Sequence, residues 1–260
     1  MTGIIAGSGL YEIKGFDISR KVRMKTPYGL PSGDYLVGKL SGRPIVFLPR
    51  HGEQHAIPPH KVNYRANIWG LKKLGVQRIL AVGAVGGISP RTTPGTLVIL
   101  DQIIDMTKTR KSTFHEGKTG VVHIDFTEPY CPELRKILLD TSRDSSAPIK
   151  KSGTYVCTEG PRLETKAEIR FFSRIGADVV GMTGMPEASL AREAQICYAG
   201  IAVVTNYAAG LRRRKLTVTE VIKTMNNATS SVQALLKDVL MRIPRRRVCS
   251  CNDSLTKAKI

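Results

Sequence analysis

Carboxylates are scarce in this chain: 21 Asp and Glu stand against 40 Lys and Arg, a formal net charge of +19 over 260 residues. No cluster of Asp offers an acidic metal site. Long apolar runs are also missing. No stretch of 18 consecutive apolar residues occurs, so no membrane span is expected. The opening MTGIIAGSGLYEI has no basic segment ahead of its apolar run. It reads as a first strand entering a glycine turn rather than a signal peptide, and a cytoplasmic address follows by default. Internal repeats and low-complexity linkers are absent too, and 42% hydrophobic content suffices for one full core. The expected organisation is a single domain over 1–243 and a loosely ordered basic tail over 244–260 that carries Cys249-Ser-Cys251.

The excess positive charge is partly concentrated, in Arg212 to Lys215 and in Arg242, Arg245, Arg246 and Arg247. Such charge attracts polyanions without a specific site. No helix-turn-helix, zinc-finger or RNP signature accompanies it, so solvated loops and a tail are the preferred explanation and nucleic acid is not an expected partner. Of the five cysteines, Cys131, Cys157 and Cys197 lie in apolar or strand-like surroundings and read as reduced core residues. For Cys249 and Cys251 a strained local disulfide and free thiols are both open. Metal binding there is disfavoured, since no second Cys/His pair has matching spacing.

Apolar, Val- and Ile-rich segments at 3–6, 44–48, 78–85, 96–104, 154–157, 178–182 and 201–206 read as buried strands. Helical periodicity separates them. Val62, Ala66, Trp69 and Leu74 share a face of 60–74; Ala167, Phe171 and Ile175 recur over 164–175. A helix over 186–194 begins at a proline with Glu187 near its positive end, and 219–240 reads as a long closing helix. The stretch 108–120 has no period and reads as a loop over a site. Strands alternating with helices predict an α/β fold.

Chemistry-bearing residues gather at the ends of these strands. Gly7-Ser8-Gly9 follows the first; its amides and hydroxyl suit phosphate oxygens, and an ordinary turn is the bland reading. A dinucleotide fingerprint is excluded, because Glu12 stands where the third glycine would be. Pro49-Arg50-His51-Gly52-Glu53-Gln54-His55 follows a strand, and Arg50 offers a planar fork for an anion with His51 beside it. A Pro-Pro break between His55 and His60 argues against metal ligation. The run 81–87 is small enough to admit a ligand or to pack tightly against a helix; taken alone, the second is favoured. Glu164 stands at a helix start and Asn206 at a strand end. A carboxylate can accept from a ring N1–H while an amide serves neighbouring N7 and O6, a combination that fits a 6-oxopurine. First-turn and strand-end roles are the plain alternatives for these two residues.

The segments PRHGEQH, PPHKVNYRANIWGLKKLG, EGPRLETKAEI, MTGMPEASLARE and TNYAAG, spread over residues 1–240, resemble the trimeric purine nucleoside phosphorylases in the branch of the methylthioadenosine phosphorylases. That resemblance implies a three-layer sandwich with a central mixed, partly barrel-like β-sheet flanked by helices. It implies phosphorolysis of a nucleoside by a homotrimer, with pairing of trimers into a hexamer left open, and with no cofactor and no metal beyond phosphate as co-substrate. Ser8, Arg50, His51, Ala84 and Thr183 would bind phosphate. Met182 would pack on the ribose, Glu164 and Asn206 would read the base beside Tyr207 and Ala208, and Val218 and His123 would lie near the ribose 5′ substituent. Glu164, Asn206 and His51 would carry the catalysis. Methylthioadenosine-specific members usually carry Ser in place of Glu164 and Asp in place of Asn206 and Ala208, so this chain is closer to the oxopurine enzymes. An apolar residue at 218 keeps 5′-methylthioinosine open beside inosine and guanosine. Methylthioadenosine phosphorolysis, nucleoside hydrolysis, NAD-dependent dehydrogenation and simple polyanion binding are the rival readings.

Overall fold

The computed structural model describes every residue except 8, 9, 11, 118, 119, 146, 213–217, 257 and 260, together with the backbone but not the side chains of Val218 and Glu220. Eleven strands form one mixed sheet. They are β1 (Thr2–Ala6), β2 (Phe16–Val22), β3 (Tyr35–Leu40), β4 (Arg43–Pro49), β5 (Arg78–Gly87), β6 (Leu97–Ile99), β7 (Gln102–Met106), β8 (Ile149–Lys150), β9 (Thr154–Thr158), β10 (Val179–Gly181) and β11 (Cys197–Tyr207). The helices are α1 (Tyr64–Lys73), α2 (Pro132–Thr141), α3 (Lys166–Arg174), α4 (Gly184–Glu193) and α5 (Val218–Arg242).

Side-chain parity along the strands divides the core. Ile4, Leu80, Ala199, Ile201 and Val203 pack with Leu134 of α2 and Met225, Val232 and Leu236 of α5. Their neighbours Ile5, Ile79, Ala81, Ala202 and Val204 face the other way, onto Ile68 and Leu71 of α1 and Ala188 and Ala191 of α4. Strands hydrophobic on both faces are what a sheet between two helical layers requires. The expected sandwich is present, but the sheet does not close into a barrel. It runs β2-β3-β4-β1-β5-β10-β9-β7, with β11 on β5 and β6 and β8 branching beyond it.

That branching creates the functional region. β1 pairs with β5 in parallel only through Ile5 opposite Ala81. β10 takes the same edge of β5 antiparallel at Gly86 and Gly87. Between them, positions 82–85 of this edge have no strand partner among the described residues, while β11 runs along the opposite edge from Cys197 to Tyr207. A fork in a sheet leaves unpaired backbone groups and a crevice at the strand ends, where α/β proteins place ligands.

Three expectations need correction. The apolar stripe of α3 is not its core face: Ile169 and Phe172 are buried, whereas Ala167, Phe171 and Ile175 face solvent. The run at 96–104 is two strands, β6 and β7, separated by a turn at Leu100 and Asp101. The C-terminal segment is docked rather than loose. Glu133 accepts hydrogen bonds from the N–H of Val248 and Cys249, Arg247 donates to the Gln195 carbonyl, Cys251 and Ala258 are buried, and Ala258 accepts from the His123 N–H.

Glu133 also pairs with Arg78 at 3.0 Å, both side chains being less than one-tenth exposed. Glu133→Ala should therefore cost ~3–5 kcal/mol, since it strands a buried guanidinium. Denaturant unfolding should show that loss, and amide exchange at 248 and 249 should speed up. Wild-type stability with unchanged exchange would refute this docking role.

Candidate active site

The innermost feature of the crevice is an ion pair. Arg50, directly after β4, and Glu187, on α4, are essentially fully buried. Arg50 Nε donates to Glu187 Oε2 at 2.7 Å and Nη2 to Oε1 at 2.8 Å. Nη1 donates to the Val82 carbonyl at 2.9 Å, filling one of the acceptors the fork leaves without a strand. Tyr198 of β11 donates its hydroxyl to Glu187 Oε1 at 2.9 Å. Burial opposes the Arg50 charge, but the Glu187 carboxylate more than offsets it and raises the guanidinium pKa above its usual value. A guanidinium has five N–H groups. Three are committed here, and each Nη keeps one more.

Nη1 and the His51 ring both lie against Gly7. A Cβ there would sit 3.0 Å from His51 Cδ2, 3.3 Å from its Nε2 and 3.4 Å from Arg50 Nη1. The absence of a side chain at position 7 is therefore a condition for this corner to exist. His51 Nδ1 is 2.8 Å from the Ile57 carbonyl, so Nδ1 carries the proton and Nε2 is the free acceptor of the neutral ring. Burial, with a further contribution from Arg50, lowers its pKa to about 4. His51 is thus neutral at pH 7. The His55 ring lies against it, tilted by 38° with centroids 4.3 Å apart.

Above this corner stand Thr183 and Met182, between β10 and α4. Thr183 Oγ1 is 3.6 Å from where a Cβ on Gly83 would be, so the fork's small residues bring the hydroxyl over β5. The backbone N–H groups of Thr183 and Gly184 donate to the buried Tyr155 hydroxyl at 3.1 and 3.3 Å, which holds the α4 entry in place. Ala84 is half-buried in β5 opposite Val203. Met182 packs onto Gly160, whose Cβ would lie 2.5 Å from Sδ.

The two residues expected to face a base lie beyond β9 (Glu164) and near the end of β11 (Asn206). Gly86 lies in register with Asn206 of β11 on one side and with Val180 of β10 on the other. A bulge between Val204 and Asn206 turns the Asn206 side chain. Its Oδ1 accepts from Thr205 Oγ1 at 2.8 Å, and its Nδ2 donates to the Tyr207 carbonyl at 2.9 Å. One lone pair and one N–H of the amide remain. Glu164 Oε1 accepts from Thr158 Oγ1 at 2.7 Å. Its backbone is set by the next residue: Thr165 caps α3 in a reciprocal capping box with Glu168. Tyr207 lies under Arg212, 4.2 Å from the ring centroid, and Ala208 is buried with its N–H on the Gly87 carbonyl.

The structure therefore brings Arg50, His51, Ala84, Thr183, Met182, Glu164, Asn206, Tyr207 and Ala208 to the ends of β5, β9, β10, β11 and the turn after β4. Ser8 and the Val218 side chain lie outside the described residues. His123 is exposed, its N–H tied to Ala258, and none of its interactions within the chain reaches the other candidates. A cavity of about 540 Å³ lies beside Pro49, Glu53 and Gln54, but Glu164, Thr183 and Asn206 do not line it, so convergent polar groups define the site better than that void.

Sequence reasoning missed several residues. From the sequence Glu187 reads only as a helix-dipole partner. Arg110, in the loop expected to cover a site, donates to the carbonyls of Met182, Met185, Thr158 and Glu159, joining that loop to both halves of the crevice. Tyr155, Thr158 and Tyr198 hold the others in place. Their only signal was polarity inside apolar strands.

Comparison with known proteins fits this geometry. Residues 2–241 match the family model of the Phosphorylase superfamily, and the chain belongs to that family. Within it the chain stands among the nucleoside phosphorylases. It is 50% identical, over 98% of its length and 97% of the relative's, to a probable 6-oxopurine nucleoside phosphorylase of Thermococcus kodakarensis. It is 51% identical, over 98% and 96%, to a probable S-methyl-5′-thioinosine phosphorylase of Thermodesulfovibrio yellowstonii. A solved methylthioadenosine phosphorylase from Schistosoma mansoni, in complex with adenine, superposes with a TM-score of 0.94 at 32% identity, covering 99% of this chain and 98% of that one.

The His51 environment sets a pH signature. Above pH ~6.5 the ring is neutral whether the chain is folded or not; between ~6.5 and about 4 only the unfolded chain takes up the proton. Stability should thus fall as pH drops through that window, by ~3 kcal/mol, and level off below it as far as this residue is concerned. NMR of labelled His51 should show titration near pH 4. A midpoint between 6 and 7 would contradict the lowering that burial imposes.

Proposed function

We propose that the chain catalyses reversible phosphorolysis of 6-oxopurine nucleosides, giving the free base and ribose 1-phosphate. One observation carries this reading. Glu164 and Asn206, 42 positions apart in sequence, are each held by a threonine hydroxyl, Thr158 at the end of β9 and Thr205 near the end of β11, in a fold that also holds the buried Arg50 cation. The Glu164 carboxylate accepts from N1–H of the ring. The remaining N–H of Asn206 donates where N7 and O6 gain charge. An adenine lacks the N1 proton and would leave Glu164 facing a lone pair. The names of the relatives from Thermococcus kodakarensis and Thermodesulfovibrio yellowstonii support the same substrate class.

Phosphate sits below the sugar against Gly7, Arg50, His51 and Thr183. The free N–H groups on the Arg50 Nη atoms bind its oxygens, and the Thr183 hydroxyl donates from above. Neutral His51 accepts at Nε2 from the P–OH of hydrogen phosphate, which favours that ion over a fully deprotonated anion. As the C1′–N9 bond stretches, the sugar gains oxocarbenium character and the phosphate dianion stabilises it. Phosphate oxygen then bonds to C1′ with inversion, and the electron pair of the broken bond departs on the purine, where Asn206 stabilises it. Rate enhancement comes from positioning and preorganised electrostatics.

We also propose a homotrimer in solution. The exposed apolar side chains Leu163, Phe171 and Ile175 at the start and outer face of α3 support assembly. Light scattering on the full chain and on Phe171→Glu tests it: a trimer that the substitution dissociates supports this face, and a wild-type monomer rejects it. No helix among the described residues is long and apolar enough to cross a membrane.

Inosine should release hypoxanthine only when phosphate is added, with ribose 1-phosphate in equal amount. Release in phosphate-free buffer at the same rate would convert the reading to hydrolysis. Asn206→Asp should lower kcat for inosine by roughly 100- to 1,000-fold, the usual consequence of losing one such donor. It should raise the adenosine-to-inosine preference, since a carboxylate accepts from an exocyclic amine. Unchanged selectivity would remove Asn206 from base recognition.

A further inference from the structure

The docked C-terminal segment completes a cluster that chain order conceals. Cys249 and Cys251 are carried onto Cys131, at the N-terminal cap of α2, and Cys197, the first residue of β11. The four Sγ atoms all lie within 4.8 Å of one another. Cys131, Cys197 and Cys251 are buried, and Cys249 is half-buried. This is a separate place from the crevice: the thiols sit where β11 begins, and the candidate active site where it ends. None of them enters the mechanism above.

The arrangement is four-cornered rather than two pairs. Cys197 and Cys249 have their sulfurs 3.3 Å apart. Every other pair among the four sulfurs lies within 4.8 Å. A disulfide needs two sulfurs at about 2.05 Å with a specific dihedral, and it selects partners. A tetrahedral tetrathiolate has sulfur-to-metal bonds of about 2.3 Å, which puts every pair of sulfurs about 3.8 Å apart. Four sulfurs all within 4.8 Å of one another match the second pattern.

The surroundings suit the charge such a centre would carry. Four thiolates around a divalent ion leave two negative charges. The positive end of α2 begins at Cys131, and the Arg192 guanidinium has Nη1 4.0 Å from Cys251 Sγ. The chain as a whole carries +19.

We infer that Cys131, Cys197, Cys249 and Cys251 form a structural tetrathiolate site for a thiophilic divalent cation of the zinc type, which clamps the C-terminal segment to the starts of α2 and β11. Binding converts four thiols and one M²⁺ into M(S–Cys)₄²⁻ with release of four protons, and involves no oxidation. All four positions are ligands, so the site is closed and has no place for a substrate. Its role is to hold the tail, which reaches back across Arg78, Gln195 and Arg192.

The test uses the full chain, made in zinc-supplemented medium and purified without oxygen. Metal analysis should find about one zinc per chain. Replacement by cobalt(II) should produce the thiolate-to-metal charge-transfer bands and the strong visible absorption of a tetrahedral cobalt tetrathiolate. Cys251→Ser should weaken cobalt binding by at least roughly tenfold, lower Tm, and leave inosine phosphorolysis unchanged at moderate temperature. Cobalt titration of the wild type stands without the variant, should the variant fail to fold. Less than about one metal per ten chains, a cobalt spectrum lacking thiolate bands, or disulfides among these cysteines in protein whose thiols were blocked at lysis would each overturn the inference.

Discussion

A buried bidentate ion pair organises this protein. Arg50 and Glu187 give up hydration that costs several kcal/mol per ion, and they recover it only through good geometry and additional hydrogen bonds. Both conditions hold. The fork is met at 2.7 and 2.8 Å, and Val82 and Tyr198 complete the network. The four residues come from the end of β4, from α4, from β5 and from β11. The pair therefore sets the position of α4 against the sheet, and with it Met182 and Thr183 at the helix entry. Loss of either partner would leave a naked buried charge, at ~3–5 kcal/mol. The same rigidity leaves one uncommitted N–H on each Nη, with Nη1 against Gly7, before any ligand arrives, which is the condition for electrostatic catalysis without reorganisation.

The fork in the sheet explains why the corner can be occupied. Where β1 leaves the edge of β5 and before β10 joins it, the backbone at 82–85 has no strand beside it. Small residues at Gly83, Ala84 and Gly86 keep that space open. A Cβ at Gly86 would come within 3.2 Å of both Asn206 Nδ2 and Val180 Cγ1, so the amide depends on glycine there. Arg110 then binds carbonyls on both sides of the crevice, which makes the 108–120 loop part of its wall.

Much of this was legible in the sequence, for local reasons. Strands buried on both faces read as apolar runs, the marks at their ends single out Arg50 and Asn206, and Thr183 enters only through the family resemblance. The donor and acceptor character of Glu164 and Asn206 fits a 6-oxopurine, and the family resemblance favours that over first-turn and strand-end roles. What was not legible depends on distant partners. Glu187 looks like a first-turn acid until Arg50, 137 positions away, is folded onto it. Phe171 and Ile175 keep helical spacing, yet Ile169 and Phe172 occupy the core side, because an apolar stripe does not say which surface it covers. The basic tail looked unstructured by composition, but Glu133 and Arg192 anchor it. Cys131 and Cys197 belong with the tail's two cysteines only once β11 and α2 are in place, so ligand spacing along the chain carried no signal.

Two groups of residues thus divide the labour. In the proposed reading Arg50, His51 and Thr183 offer a place for an oxyanion, while Glu164, beyond β9, and Asn206, near the end of β11, offer one for a ring with an N1 proton. The most direct check is a crystal structure of the protein with inorganic phosphate and hypoxanthine. The account requires a phosphate oxygen within hydrogen-bond distance of Arg50 Nη1 or Nη2, another at His51 Nε2, and the purine held between Glu164 and Asn206. Phosphate bound away from Gly7, or hypoxanthine making no contact with either Glu164 or Asn206, would contradict it.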